Sequence, residues 1–501
     1  MTDIDDRYRR LLGLLKEIAH VNAAKTALEW DMETKMPAAA GEARGAVMGT
    51  LASIAHAKLV SSEFEDAIAP LAELHRRGLL SADDPGRAIV GLAWKGFDRA
   101  RKLPTAFVAE LESLCVSSHH VWAEARKASD WGAFLPNLSR IIDMKREEAR
   151  LVGFDASPYD ALIEPFEPGM TTTKVAVVLG DLASFLSGFV RRIAGSRAAF
   201  DPSASRIAMP SARQGSLCRG VASALGFDFD GGRLDEAAHP FMTRLHPGDI
   251  RLVTRYDEAN LADCLYSVIH EAGHGMYEQG LPDDLYGTPA GEAASYGLHE
   301  SQSRLWENMV GRSLPFCRWL KSTSGMAFSA DERRFWRSIN AVTPSLIRVD
   351  ADEVTYNLHV CLRFGIERDL IEGTLDPKDV PSAWNAGMRD LLGVDVPDDA
   401  RGALQDVHWS GGAFGYFPSY AIGNLYAAQL YAAAKEAVPG LEDGYARGEF
   451  APLLAWLRGN VHRHGSLMSA DDIVRRATGS GLDAGPFTAY LESKFTEIYG
   501  L

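Results

Sequence analysis

The sequence predicts a mainly α-helical protein, a single large helical domain with one small antiparallel β element, and three observations carry that prediction. Apolar residues recur at three- and four-residue intervals through most of the chain. Strand signals are few. Pro/Gly punctuation falls between the periodic stretches and never lengthens into a linker, and no repeat of fixed period is present. At 501 residues the chain can bury a substantial core, here expected as two lobes around a cleft, with no boundary between them marked in the pattern.

Taken in order, the first strong helix signals are ARKLPTAFVAELESLCVSSHHVWAEARKAS (Ala100 to Ser129) and TTKVAVVLGDLASFLSGFVRRIAG (Thr172 to Gly195). The most apolar part of the second, Val175 to Val190, is interrupted by Asp181 and Ser184 and is expected to be too short to span a bilayer. DIRLVTRY (Asp249 to Tyr256) is the best strand, short, β-branched and preceded by His246-Pro247-Gly248. From Asn260 to Glu278, the residues Leu261, Cys264, Leu265, Val268, Ile269 and Ala272 mark one buried helix face. A Gly-rich connection, TPAGEAASYG, leads to a second helix in LHESQSRLWENMVGR, Leu298 to Arg312. VTYNLHVCLRFGIERDLIEG (Val354 to Gly373) and YAIGNLYAAQLYAAAKEAV (Tyr420 to Val438) complete the strong helical signals.

Composition narrows the classes of function. A chain with 46% hydrophobic and 24% charged residues is that of a soluble globular protein. Its net charge of −15 and pI near 5.4 argue against a nucleic-acid partner, which needs clustered Lys and Arg. The opening MTDIDDRYRRLLGLLKEIAH alternates acids with leucine, so no leader and no membrane role are expected. Five scattered cysteines with no CxxC pair fit reduced thiols, and the expected location is the cytoplasm.

SVIHEAGHGMY (Ser267 to Tyr277) carries the chemistry. Residues four apart share a helix face, so His270 and His274 point at a common place, with Glu271 beside them. Gly273 inside this motif costs about 1 kcal/mol of helix propensity relative to Ala, a cost that marks close packing or a functional approach. A catalytic zinc needs a third protein ligand and one open position. Glu300 on the following helix is the candidate, with adjacent His299 as competitor. Seen alone, Glu300, Arg304 and Glu307 would be an ordinary intrahelical charge ladder. Two elements with matching ligand types inside one supersecondary unit favour the metal.

These blocks resemble the carboxypeptidase Taq family of metallocarboxypeptidases. HEAGH (His270 to His274), HESQSR (His299 to Arg304), IRVDAD (Ile347 to Asp352) and GALQDVHW (Gly402 to Trp409) stand in the family's order. HPF (His239 to Phe241), DIRLVTRY and LEWDMETKMP (Leu28 to Pro37) add to the match. One departure is visible: Val253 stands where the family's DxRxT pattern has Thr, with Thr254 next.

The resemblance implies a helical zinc-peptidase fold with a deep groove, similar to angiotensin-converting enzyme and neurolysin. It also implies a homodimer that removes single residues from peptides with a free C-terminal carboxylate, broad in specificity, dependent on Zn²⁺ with Co²⁺ as a substitute. On this reading His270, His274 and Glu300 hold the metal and Glu271 is the general base. His408 and Tyr416 stabilise the oxyanion, with Gly411, Gly412 and Gly415 letting their loop approach substrate. Arg348 grips the terminal carboxylate, unless it is spent on a structural ion pair with Asp350 or Asp352. Gln405 belongs to the substrate site, where it and Asp406 support rather than react, and Asp249 and Arg251, on a strand able to pair with peptide backbone, position the cleft wall. An oligopeptidase with the same zinc chemistry and a non-catalytic peptide-binding protein are the competing expectations.

Overall fold

Helical periodicity is realised along most of the chain, and side chains cap several of the helix starts. Ser61, Asp130, Thr171 and Ser295 each accept a backbone N–H of the first turn of the helix that follows. The computed structural model describes residues 3–80, 85–198, 201–324 and 331–501. By their internal contacts these form two compact units. The first takes residues up to 101, 201–339 and 430–481; the second takes 102–200, 340–429 and 482–501. The chain passes between them five times, so no single linker exists for a sequence pattern to reveal.

The first unit contains a three-stranded sheet, β1 (Gly232–Glu236), β2 (Phe241–His246) and β3 (Asp249–Thr254), in the order β1-β3-β2. β3 pairs antiparallel with β2 but parallel with β1, so the element is mixed where a purely antiparallel one was expected. Val253 sits in β3, fully buried, opposite Asp235 and Phe241. An apolar cluster around Leu11, Leu15, Phe64, Ile68, Ile89 and Phe97 forms part of this unit's core. Burial of each such side chain contributes roughly 1.5–3 kcal/mol.

The helix Leu261–Glu278 buries the face the pattern marked, with Leu261, Cys264, Leu265, Val268, Ile269 and Ala272 all enclosed. It packs on β3, on the helix Ser211–Leu225 and on the helix Tyr296–Arg304. Gly273 is where the last pair meets: a Cβ there would lie 2.7 Å from the carbonyl oxygen of Gln302 and from Cα of Ser303. Backbone cannot yield as a side chain can, which explains the tolerated loss of propensity. Gly273→Ala should therefore cost about 1–3 kcal/mol by urea unfolding, rather than gaining the propensity difference. A variant as stable as the parent would show that the two helices can separate freely.

In the second unit the apolar stretch of Thr172 to Gly195 is a helix of 23 residues, Thr172–Ala194. The expectation that it is too short fails, because the helix continues past both ends of the apolar run. By length and composition alone it could cross a membrane, an 18-residue window within it having a mean hydropathy of 1.5. Val175, Leu179, Leu182, Leu186 and Ile193 are nonetheless buried within its unit.

Candidate active site

The histidines of the HExxH motif are held from behind. His270 donates from Nδ1 to Glu307 Oε2 at 2.9 Å, and His274 donates from Nδ1 to the carbonyl of His299 at 3.1 Å. Those bonds leave both Nε2 atoms directed at Glu300, whose Oε2 lies 3.7 Å from the first and 3.3 Å from the second. The ligand atoms of His270, His274 and Glu300 all fall within 4.8 Å of one another, as one shared cation requires. Two imidazoles and a carboxylate, each turned by a hydrogen-bonded partner, form a donor set that suits a zinc-type ion. Glu300 is the carboxylate of this group, and His299 is excluded. His299 Nε2 is taken by Glu278 Oε1 at 2.9 Å, and its ring stacks on His274 with centroids 4.4 Å apart.

Glu307 is more than a rung of a charge ladder, and the sequence offered only its helical spacing as a signal. The helix expected over Leu298 to Arg312 is α-helical from Tyr296 to Arg304 and then widens to a π-helix, Leu305–Gly311. Within this wider turn the N–H of Arg312 reaches back five residues to the carbonyl of Glu307. Glu307 accepts from His270 on one oxygen and from the Arg312 side chain on the other, at 3.0 Å. Arg304 Nε donates to Glu300 Oε1 at 2.7 Å, leaving Oε2 toward the histidines.

These contacts set the charges. Burial raises the carboxyl groups of Glu300 and Glu307, but the neighbouring arginines and histidines outweigh it and hold both well below the usual range. Burial pushes Glu271 up to about 7, with Glu300 adding to the rise and His270 opposing it. Among the described residues no hydrogen bond occupies the Glu271 carboxylate, and the residue is buried.

Asp249 and Arg251 belong to the same unit but do not present a free strand. β3 is the central strand, paired on both sides, so it cannot take up a peptide backbone as expected. Arg251 forks Asp249 with two bonds of 2.8 Å and lies over the Trp30 ring at 4.4 Å.

The second unit gathers Arg348, Gln405, His408 and Tyr416. Arg348 is 5% exposed and pairs with neither Asp350 nor Asp352. Its Nε and Nη2 donate to Asp406 Oδ1 at 3.1 and 2.9 Å, and Nη1 donates to the Tyr356 hydroxyl at 3.1 Å. Asp352 instead accepts from the backbone N–H groups of Thr343, Val354 and Thr355. The other oxygen of Asp406 takes Arg363, a fully buried arginine that the sequence reading passed over.

Gln405 is not available to a substrate. Its Oε1 accepts from Arg348 N and Arg363 Nη2, and its Nε2 donates to the carbonyls of Leu346, Arg401 and Gly402. That saturates its side-chain amide. His408 stacks on Tyr416 at 5.6 Å, and its Nε2 lies 3.4 Å from the hydroxyl of Tyr420, another residue missed. Burial first, then the charge of Arg348, lowers His408 to about 4, so it is a neutral imidazole at neutral pH.

A family model described as carboxypeptidase Taq (M32) metallopeptidase matches residues 10–495. Thermostable carboxypeptidase 1 of Thermus thermophilus is 39% identical, over 98% of this chain and 99% of that protein. Carboxypeptidase 1 of Bacillus subtilis is 38% identical, over 98% of each. The crystal structure of the M32 carboxypeptidase from Deinococcus radiodurans superposes with a TM-score of 0.94 at 38% identity, covering 99% of this chain and 100% of that one.

Proposed function

Since the chain belongs to the carboxypeptidase Taq (M32) metallopeptidase family, we propose that this metallocarboxypeptidase removes single residues from the C-termini of peptides with broad side-chain tolerance. The observation that carries the chemistry is the convergence of His270 Nε2, His274 Nε2 and Glu300 Oε2, with every outward-facing atom of these ligands engaged elsewhere. These three residues would hold zinc, or cobalt in its place, which would supply Lewis-acid chemistry and lower the pKa of a water there.

The chain's own residues do the rest. Glu271 accepts the water's proton on its carboxylate and returns it to the leaving amine. His408 and Tyr416 donate hydrogen bonds to the oxyanion, a role that suits a neutral imidazole and a phenol. The Asp249–Arg251 pair lies within β3, the strand that packs against the helix carrying His270 and His274. Arg348 spends three of its five N–H groups on Asp406 and Tyr356, and the remaining two read the substrate's terminal carboxylate. The proposal includes a cytoplasmic homodimer acting on peptides with free C-termini, and five cysteines without a disulfide fit such a compartment.

The comparison of a short peptide with its C-terminal amide tests the carboxylate reading. Arg348→Ala should lower the preference for the free acid by about 10- to 100-fold, the worth of a hydrogen bond to a charged group. That ratio is insensitive to how much of the variant folds. An unchanged ratio removes Arg348 from substrate recognition, and equal cleavage of both peptides by the parent protein favours an oligopeptidase.

A further inference from the structure

Within the second unit, Glu367 lies on the helix Tyr356–Glu372 and is fully buried, with a carboxylate that nothing in the peptidase chemistry uses. Three donors converge on it. Trp409 Nε1 reaches Oε1 at 2.8 Å, while the Tyr159 hydroxyl and the Gly415 N–H reach Oε2 at 2.6 and 2.9 Å. Trp409 follows His408 directly, and Gly415 directly precedes Tyr416. One carboxylate therefore fastens both ends of the turn between the two side chains assigned to the oxyanion.

The turn has little freedom elsewhere. The carbonyl of His408 accepts the N–H of Ala413, and Gly412 bonds back to Trp409. Gly415 has φ of +91°, and a Cβ there would lie 2.2 Å from the carbonyl oxygen of Leu162. That glycine is needed for packing against its own unit, not for approach to a substrate as expected.

We infer that Glu367 is a positioning residue for this reaction, setting His408 and Tyr416 through the two ends of one turn. The inference rests on the reading of those two residues as oxyanion donors. It also explains a buried acid in terms of need. An ionised carboxylate offers lone pairs on both oxygens, whereas an amide offers one acceptor and one donor group. In Glu367→Gln the Tyr159 hydroxyl can rotate to accept from the new amide. Trp409 and Gly415 cannot both keep an acceptor, because their bonds fall on different oxygens, so one end of the turn is released.

The test uses the full-length, metal-loaded protein and a short peptide with a free C-terminus. Glu367→Gln should lose about 10- to 100-fold in kcat with KM nearly unchanged and one metal per chain retained, since displacement of groups that act in the transition state lowers kcat and kcat/KM together. Tyr159→Phe also deletes a buried hydrogen bond but leaves both ends of the turn tied, and should keep kcat within about 3-fold. If Glu367→Gln does not fold, Trp409→Phe releases the His408 end alone and should show the same loss in kcat. A folded Glu367→Gln with parental kcat overturns the inference. So does a Tyr159→Phe enzyme that loses as much as Glu367→Gln, or, where Trp409→Phe is used, parental kcat in that variant. A parent protein that releases no C-terminal residue overturns the functional reading beneath it as well.

Discussion

Glu271→Gln should bind one metal per chain, fold as the parent does and turn over peptide about 10³-fold more slowly or worse. The amide is nearly isosteric with the carboxylate, so the buried space is kept. None of the described residues donates a hydrogen bond to Glu271, so the substitution orphans no donor. What is lost is the capacity to take up a proton and return it, worth about 4 kcal/mol at that rate ratio. The expected signature is full metal content with a collapsed kcat. Substantial turnover by the Gln variant would assign the proton transfer to another group.

Removal of the metal should be as severe and should be reversible. Chelation ought to abolish peptide cleavage, and one equivalent of zinc ought to restore it. Glu300→Ala should not be rescued in this way, because its loss deletes the only carboxylate among the three ligands. Rescue of Glu300→Ala by the same zinc would mean that His299 or another group can serve, against the hydrogen bond that ties His299 to Glu278.

The helices and the grouping of His270, His274 and Glu300 were legible in the sequence because both rest on local spacing. The faces of Leu261–Glu278 repeat every three to four residues, and the His pair shares a face for the same reason. Glu300 was reachable because it lies one connection downstream. Contacts distant in sequence were not. Arg348 was offered Asp350 and Asp352 as near neighbours, yet its partner is Asp406, 58 residues on. Glu367 meets Tyr159 across 208 residues, and no periodicity encodes that.

The sheet was half legible. β1 reads GRLDE, charged and only partly buried, so it lacks the alternation that announces a strand, and its parallel pairing to β3 is a matter of topology. The π-helix at Leu305–Gly311 bonds five residues back rather than four, which a three- and four-residue pattern does not announce, and it carries Glu307 behind His270.

The measurement that bears most directly on the central claim is a zinc titration of metal-free protein with release of a single C-terminal residue as the readout. Activity should rise linearly and stop at one equivalent per chain, and Glu271→Gln should take up the same equivalent and stay silent. Activity that is full before zinc is added, or that never appears once the site is filled, would contradict a zinc centre built from His270, His274 and Glu300.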